Sequence, residues 1–257
     1  MRIVYLIAIL IALYGCALFS DKKEETKDVP APKLYAEAKE ALSAESYTQA
    51  IESYEKLQAR YPFGTYAQQA QLDLAYAYYK SEEPVSAVAA CDHFIKLYPT
   101  HPRVDYAYYL KGLANFNQGK GLAERYLPID ASQRDQAAAL KSFQDFTELV
   151  KRFPKSRYVE DAQQRMTYLR NLLAQHEINV ANYYMLRGAY VAAANRARYV
   201  VENYQRAPIM PEALAIMAKA YRILDMQDLA ADALRVLEIN YPDYPGIKEI
   251  KGIRVTK

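Results

Sequence analysis

The chain is poor in the residues on which several classes of protein depend. Its 257 residues include eight glycines, two cysteines and no tryptophan. Two cysteines are too few for a disulfide-rich scaffold, and the near absence of strand-type alternation argues against a sheet protein. The formal net charge of +3 is too small to predict a protein that binds polyanions through a basic stripe. A quarter of the residues are charged and half are hydrophobic, which suits packed amphipathic helices.

Sequence motifs of enzyme chemistry are missing as well. The three histidines, His93, His101 and His176, are far apart, and the chain has no HExxH motif, no Cys/His zinc spacing, no P-loop and no GxSxG motif. We therefore expect a protein that is not an enzyme and that needs no metal and no cofactor. Cys91 falls at a core position of the repeat described next, so we expect a small buried side chain rather than a reactive thiol.

A four-residue pattern recurs along the chain. A small residue is followed by apolar residues at +4 and +7 and by a proline at +12. The copies are Ala50-Tyr54-Leu57-Pro62, Ala87-Cys91-Phe94-Pro99, Ser142-Phe146-Leu149-Pro154 and Ala230-Leu234-Leu237-Pro242, with a weaker copy, Ala193-Ala197-Val200, that has Gln205 in place of the proline. The small residue lets two helices approach, the +4 and +7 positions share a helix face, and proline ends the helix. This spacing is that of the second helix of a tetratricopeptide repeat.

First helices precede these blocks. An alanine lies twelve residues before four of the anchors: Ala38, Ala75, Ala181 and Ala218. A tyrosine follows three of these alanines after three residues, at Tyr78, Tyr184 and Tyr221. The sequence therefore predicts an all-α fold, a right-handed superhelical solenoid of five tetratricopeptide (helix-turn-helix) repeats, in which each repeat buries its apolar face against its neighbours.

The third repeat departs from the regular spacing. We predict its first helix from Val104 to Asn117, followed by an insertion at about 118–136 whose role the sequence leaves open. Ser132 is a candidate N-cap of the next helix, which reaches Phe153. From Ser156 to Arg187 the chain has neither glycine nor proline, which predicts one long helix that links the third repeat to the fourth and ends before Gly188.

The N-terminus has the pattern of a lipoprotein signal peptide at residues 1–15. Arg2 precedes an apolar run of about twelve residues, which is too short to span a bilayer. Leu13-Tyr14-Gly15-Cys16 resembles a bacterial lipobox and predicts lipidation of Cys16; the alternative is an ordinary secretory signal with a free cysteine. By resemblance to the lipoprotein sorting rule, Ala17 at the next position favours the outer membrane.

The rest of the chain divides into four segments. Residues 16–32 comprise the lipidated cysteine and a polar, flexible tether. Residues 33–155 hold repeats one to three, and residues 156–244 hold the linking helix and repeats four and five. The tail at 245–257 forms a terminal cap, packs on a partner or frays.

Tyrosines are dense in the first three repeats. Tyr76-Ala77-Tyr78-Tyr79 is echoed by Tyr106-Ala107-Tyr108-Tyr109, and the outer tyrosines of each set share a helix face. We expect them to line a groove in which aromatic rings receive the side chains of an extended peptide while hydroxyl groups bind its backbone. The alternative is that these tyrosines only pack between helices. The predicted peptide-binding residues are Tyr35, Tyr76, Tyr79, Lys80, Tyr106 and Tyr109.

The lipobox, tether and five repeats together resemble the BamD (ComL/YfiO) family of outer-membrane assembly lipoproteins across essentially the whole mature chain. The family-like segments are Arg60-Tyr61-Pro62-Phe63-Gly64 with Tyr66, His101-Pro102-Arg103-Val104-Asp105-Tyr106, Asp130-Ala131-Ser132-Gln133-Arg134-Asp135, Pro154-Lys155-Ser156-Arg157-Tyr158 and Arg187-Gly188-Ala189-Tyr190. The insertion in the third repeat, which generic repeats lack, is part of the resemblance.

The resemblance implies a non-enzymatic scaffold anchored by lipid to the periplasmic face of the outer membrane. Its partners would be the periplasmic domains of BamA, the other lipoproteins of the assembly (BAM) complex and unfolded outer-membrane proteins, and no nucleic acid. Carried over to this chain, the contacts with BamA fall on Arg187, Asn195 and Arg196.

Two other functions remain open at the level of sequence. A type IV pilus pilotin is also an outer-membrane lipoprotein built of these repeats, although it lacks the insertion, and it would assist secretin assembly. A cell-wall or DNA-uptake factor would bind polyanionic material, against which the low net charge argues.

Overall fold

The computed structural model describes residues 29–118, 132 and 136–253, and in this part of the chain it is all helical. Consecutive helices pack against each other and, since short turns join most of them, alternate in direction. The described helices are α1 (Ala31–Ser43), α2 (Tyr47–Arg60), α3 (Thr65–Lys80), α4 (Pro84–Leu97), α5 (Val104–Asn117), α6 (Ala137–Arg152), α7 (Val159–Leu186), α8 (Tyr190–Asn203), α9 (Met210–Ile223), α10 (Gln227–Asn240) and α11 (Ile247–Gly252). The expected helical solenoid is confirmed.

The repeat pattern identifies the core correctly. Every small or apolar anchor of the second helices is buried, with at most 6% of its surface exposed. The four alanines predicted on the first helices are fully buried as well. Cys91 is one of these anchors, and burial raises the pKa of its thiol well above the usual range. It is therefore a small core residue, as the pattern predicts.

The second helix of each repeat ends ten residues after its small anchor, at Arg60, Leu97, Arg152, Asn203 and Asn240. The following residue is always aromatic, and its backbone N–H bonds to the carbonyl of the +7 anchor at 2.8–2.9 Å. The five aromatic residues are Tyr61, Tyr98, Phe153, Tyr204 and Tyr241. Tyr204 is 95% buried, and α8 ends in the same register as the other second helices although Gln205 replaces the proline. An aromatic residue therefore follows the second helix of every repeat, with or without the proline.

The turns inside repeats one, two, four and five share one backbone geometry. A residue with positive φ follows the C-cap of the first helix: Glu45, Glu82, Gly188 or Asp225. The next N–H then reaches back to the carbonyl of the fifth residue before it, at 2.9 Å in all four turns. This is the Schellman arrangement, which satisfies the last carbonyls of a helix.

The long helix α7 joins two parts of the core, as predicted. Its first half places Ala162 and Leu169 against Phe146 and other residues of α6. Its second half packs with α8 and α9 through Ile178 and Ala181, among others. A helix of 28 residues is about 42 Å long. It therefore couples the third and fourth repeats without a flexible joint.

Ser132 does not cap the helix that follows it. That helix, α6, begins at Ala137, and Gln136 is its N-cap residue. Ser132 is instead buried, with 1% of its surface exposed. Its carbonyl lies 2.7 Å from Nδ1 of His176, and its hydroxyl accepts a 2.8 Å hydrogen bond from Asn179. The prediction failed because polar groups on α7, 44 and 47 positions away, bind this serine.

The short helix α11 covers the last repeat. Ile250 of α11 is fully buried and packs with Leu237 and Leu234. The short helix thereby closes the apolar side that a terminal repeat would otherwise leave open. Within residues 29–118, 132 and 136–253, no helix is both long and apolar enough to cross a bilayer. The predicted signal peptide, Cys16 and most of the insertion lie outside these residues.

Candidate functional site

The first helices of the repeats are joined side by side by polar bridges. α1 contacts α3, and α3 contacts α5. At least one side-chain hydrogen bond crosses each junction. The bonds are Tyr35 to Asp73 (2.8 Å), Asn117 to Tyr79 (3.0 Å), Tyr109 to Asp161 (2.8 Å), Asn182 to Glu212 (2.7 Å) and Lys219 to Glu249 (2.8 Å). The face on which the candidate groove lies is therefore braced from repeat to repeat.

Asp73 is the most densely bonded group of this face. Asp73 is buried, with 10% of its side chain exposed. It accepts hydrogen bonds from the phenols of Tyr35 and Tyr54 at 2.8 and 3.4 Å, from the amide of Gln69 at 3.0 Å and from Lys39 at 3.3 Å. A buried carboxylate needs such partners to offset the loss of hydration. Tyr35, predicted as a groove residue, is thus also a brace between the first two repeats.

Three of the predicted tyrosines meet over one patch of core. Tyr76, Tyr79 and Tyr106 all pack, partly buried, against a cluster that includes Cys91 and Leu110. The ring centroids of Tyr76 and Tyr79 are 6.5 Å apart. Burial raises the pKa of Tyr106 well above the usual range, so its phenol stays neutral. These rings form the centre of the candidate site.

Tyr109 lies at the next junction and brings in a residue that sequence reasoning missed. Its ring stacks on Tyr158, with centroids 4.6 Å apart and planes inclined by 15°. Tyr158 also lies 5.6 Å from Tyr106 and so links the two predicted tyrosines. In the sequence, Tyr158 stands out only as part of a family-like segment. Its position 49 residues after Tyr109 offers no periodic signal that could have revealed the contact.

Lys80 is the last residue of α3. Its ammonium group is 5.6 Å from the ring centroid of Tyr47. The neighbouring phenols of Tyr47 and Tyr76 raise the pKa of Lys80, so it remains a cation. Lys80 thus places a positive charge beside the aromatic cluster.

The residues predicted to bind BamA lie on α8 and at the end of α7. Arg196 is half-exposed and donates a 3.0 Å hydrogen bond to Glu177, which raises the pKa of Arg196. Asn195 is exposed and accepts a 2.9 Å bond from Arg198. The guanidinium of Arg187 lies 5.3 Å from the ring centroid of Tyr183.

A cavity of about 460 Å³ lies beside these residues and was not foreseen from the sequence. It is lined by Ser132, His176, Asn179, Val180, Tyr183 and Tyr184. The rings of Tyr183 and Tyr184 are 6.0 Å apart. Tyr183 is half-exposed, and the next turn of the helix presents Leu186 with 87% of its surface exposed. The end of α7 therefore offers apolar surface next to the cation of Arg187.

Comparison with known proteins gives matches along most of the chain. The family model described as YfiO, outer membrane lipoprotein, matches residues 27–237. The outer membrane protein assembly factor BamD of Neisseria meningitidis serogroup B is 45% identical over 251 residues, which cover 96% of this chain and 94% of that protein. The protein of the same name from Xylella fastidiosa strain Temecula1 is 39% identical over 95% of this chain and 85% of its own length. That of Vibrio cholerae is 36% identical over 89% and 93%.

Proposed function

The chain belongs to the YfiO family of outer membrane lipoproteins, and from that membership we propose that it is a non-enzymatic scaffold in the assembly of outer-membrane β-barrel proteins. The names of its relatives support this function: each is an outer membrane protein assembly factor. The family membership also favours the assembly function over that of a type IV pilus pilotin.

The substrates that we propose are unfolded outer-membrane proteins, bound as extended segments. One observation carries this step: the rings of Tyr76 and Tyr79 are 6.5 Å apart. Side chains on the same side of an extended strand repeat every second residue, at about 6.6–6.8 Å. Two successive same-side residues of a strand can therefore each meet one ring, and this alternation is how strand segments are recognised by pockets.

Ring faces, rather than hydroxyl groups, supply most of the proposed contact. The phenols of Tyr35 and Tyr109 already donate to Asp73 and Asp161, and that of Tyr79 accepts from Asn117. These bonds hold the rings in place before a substrate arrives. A prearranged aromatic surface loses less conformational entropy on binding. Lys80 adds a positive charge that attracts acidic residues or a terminal carboxylate.

BamA is the partner that we propose for the C-terminal repeats, through Arg187, Asn195 and Arg196. Arg196 is suited to this because 47% of its side chain stays exposed while Glu177 holds one guanidinium nitrogen. Its remaining donors can form a bidentate pair with a carboxylate of the partner. The other lipoproteins of the complex are further proposed partners.

Lipidation of Cys16 completes the proposal. The lipid would hold the scaffold at the periplasmic face of the outer membrane, close to the barrel whose assembly it serves. Detecting diacylglyceryl and acyl groups on the N-terminal peptide of the mature protein by mass spectrometry would establish the anchor. A free cysteine in that peptide would refute it.

Affinity purification from mildly solubilised membranes tests the assembly function directly. We expect BamA to co-purify in stoichiometric amount, together with smaller lipoproteins. A secretin in place of BamA would overturn the assignment in favour of the pilotin function.

A further inference from the structure

One edge of the solenoid is strongly basic in its first half. Because the helices alternate in direction, the loops that lead from one repeat to the next lie along one edge. With the last two helical residues included, the first three loops are 59–64, 96–103 and 151–158. These segments contain no Asp or Glu; their cations are Arg60, Lys96, Arg103, Lys151, Arg152, Lys155 and Arg157. We call them the basic edge.

The corresponding loops of the later repeats and the first turns of the opposite edge do not share this charge. The two corresponding segments farther along, 202–209 and 239–246, contain one cation, Arg206, and two carboxylates, Glu202 and Asp243. On the opposite edge, the turn segments 42–46 and 79–83 contain three glutamates and one lysine. The positive charge therefore distinguishes the basic edge of repeats one to three from these four segments.

Side-chain contacts connect the three loops of the basic edge. Arg103 donates a 3.2 Å hydrogen bond to Gln69 near the start of α3, which follows the first loop. Ser156 in the third loop donates a 2.6 Å bond to Asp105, directly after the second loop. An exposed ion pair within α6 joins Arg152 to Glu148, while Lys151 and Lys155 are exposed. The basic edge is thus a continuous surface.

Phe63 projects from this edge with 87% of its surface exposed. Repeat geometry does not require an aromatic residue there, because the residue after the repeat's proline is Thr100, Lys155 or Asp243 in the other copies. Tyr66, the second residue of α3, is 39% exposed. Apolar side chains that project from a cationic surface suit the interface of an anionic bilayer.

The chain also enters the first repeat at this edge. The phenol of Tyr61, two residues before Phe63, donates a 3.1 Å hydrogen bond to the carbonyl of Val29. The predicted lipid-bearing residue, Cys16, precedes Val29 by thirteen residues, which span at most about 45 Å when extended. A lipid at that position keeps the basic edge within reach of the membrane surface.

We propose that the basic edge rests on an anionic lipid bilayer, with Phe63 in the headgroup region. Lipid-linked attachment by one modified residue is strengthened by such a polybasic surface. The consequence for the candidate site is geometric. The helix α3 extends from this edge, and its 16 residues are about 24 Å long. The aromatic cluster near its far end would be held roughly 20 Å from the headgroups.

The absence of tryptophan from the chain permits a site-specific test of the contact. Phe63→Trp places a single indole on the basic edge. The matched control, Val85→Trp, replaces a residue that is 68% exposed near the other end of α3. The mature lipoprotein is reconstituted in phosphatidylcholine vesicles with or without phosphatidylglycerol, and fluorescence is quenched by lipids brominated near the headgroup end of their acyl chains. We expect quenching at position 63 in anionic vesicles and none at position 85. No quenching at position 63, or equal quenching at both, would overturn the proposal.

Charge reversal tests the electrostatic part separately. In the Phe63→Trp background, Lys151→Glu with Lys155→Glu should remove most of the quenching, since each cation contributes about a fivefold factor to binding at an anionic surface. Lys141→Glu with Lys248→Glu makes the same change in net charge at exposed residues away from the basic edge and should leave the quenching unchanged. If both pairs act alike, the contact is non-specific and the proposed edge is wrong.

Discussion

Tyr109 and Asp161 are 52 positions apart in the sequence, yet the phenol of one donates a 2.8 Å hydrogen bond to the carboxylate of the other. The bond crosses from α5 to α7 and spans the repeat that carries the insertion. Asp161 also binds Arg165 at 2.6 and 3.3 Å. The third repeat therefore stays joined to the long helix across the point at which the regular spacing is broken.

This pair predicts a pH dependence of stability. The hydrogen bond from Arg165, with that of Tyr109, lowers the pKa of Asp161. A lowered carboxyl pKa stabilises the fold above the unfolded value of about 4 and loses that effect as pH falls. The difference in free energy of unfolding between the native chain and Asp161→Asn should therefore shrink below about pH 4. Urea unfolding from neutral to acidic pH measures it, with exposed Asp243→Asn as the control. A difference that stays constant with pH would refute the assignment.

Tyr109 predicts a loss of stability at alkaline pH. Burial and the hydrogen bond to Asp161 raise its pKa to about 12. A raised tyrosine pKa stabilises the fold below the unfolded value of about 10, and the effect is lost as pH rises through the folded value. Tyr109→Phe should cost about 0.5–1 kcal/mol at neutral pH, and that cost should diminish above about pH 10. An unfolding free energy equal to that of the native chain at neutral pH would contradict the prediction.

Gly112 is predicted to tolerate no side chain. A Cβ at this position would lie 2.5 Å from Cε1 of Phe146, which is fully buried. The two helices are also joined there by a 2.9 Å hydrogen bond from Ser142 to the carbonyl of Gly112. Gly112→Ala should destabilise the chain by about 1–3 kcal/mol. Gly252→Ala, whose Cβ would meet open space, should be nearly neutral in the same thermal and urea unfolding. Equal effects would show that the close approach is not limiting.

At the turn positions with positive φ, replacing a glycine and introducing a glycine should change stability in opposite directions. Gly188 has φ of +73° and open space around its Cα, so Gly188→Ala should cost about 1 kcal/mol through backbone strain alone. Glu82 has φ of +61° at the same place in the second repeat. Glu82→Gly should raise stability by up to about 1 kcal/mol, because glycine is favoured at this turn position. The urea midpoints of unfolding of the two variants measure both changes in stability. A lower midpoint for Glu82→Gly than for the native chain would contradict the argument.

Binding of an extended peptide should depend on the central rings. Tyr76→Ala with Tyr79→Ala should weaken binding of a C-terminal strand peptide of an outer-membrane protein by about tenfold or more, since each aromatic contact contributes about 1 kcal/mol. Tyr183→Ala with Tyr199→Ala removes two tyrosines that are 53% and 42% exposed in the C-terminal repeats. This control should leave the peptide's dissociation constant unchanged. Fluorescence anisotropy gives the affinities, and circular dichroism confirms that both variants stay folded. Unchanged affinity in the first variant would exclude the proposed groove.

Association with BamA should depend on Arg196 but not on an exposed arginine elsewhere in the C-terminal repeats. Arg196→Gln removes the cation and should weaken co-purification of BamA by about tenfold. Arg235→Gln is the matched control, because Arg235 is an exposed arginine on α10 that pairs with Asp232. Arg196→Glu is the poorer choice because it would face the carboxylate of Glu177, which now binds this guanidinium at 3.0 Å. If Arg235→Gln weakens co-purification as much, the proposed contact is misplaced.

The helical repeats were predictable because their rules are local. Small anchors such as Ala50 and Ala87 recur with fixed spacing, and the periodicity of one helix face is enough to assign them to the core. α8 ends in the same register as the other second helices although Gln205 replaces the proline of the pattern. The N-cap predicted at Ser132 was wrong because a good capping residue can be bound elsewhere by more distant groups.

By itself, the sequence determined the all-helical repeat array, the burial of its anchors and the long helix α7, since each follows from residues within one or two turns of each other. Only the tertiary structure decided which tyrosine hydroxyls are engaged, that Tyr158 stacks on Tyr109, and that Ser132 binds α7. It also decided that cations from three separate loops form one edge around Phe63. These relationships join residues 30 or more positions apart, and their distances depend on how whole helices pack rather than on any local pattern.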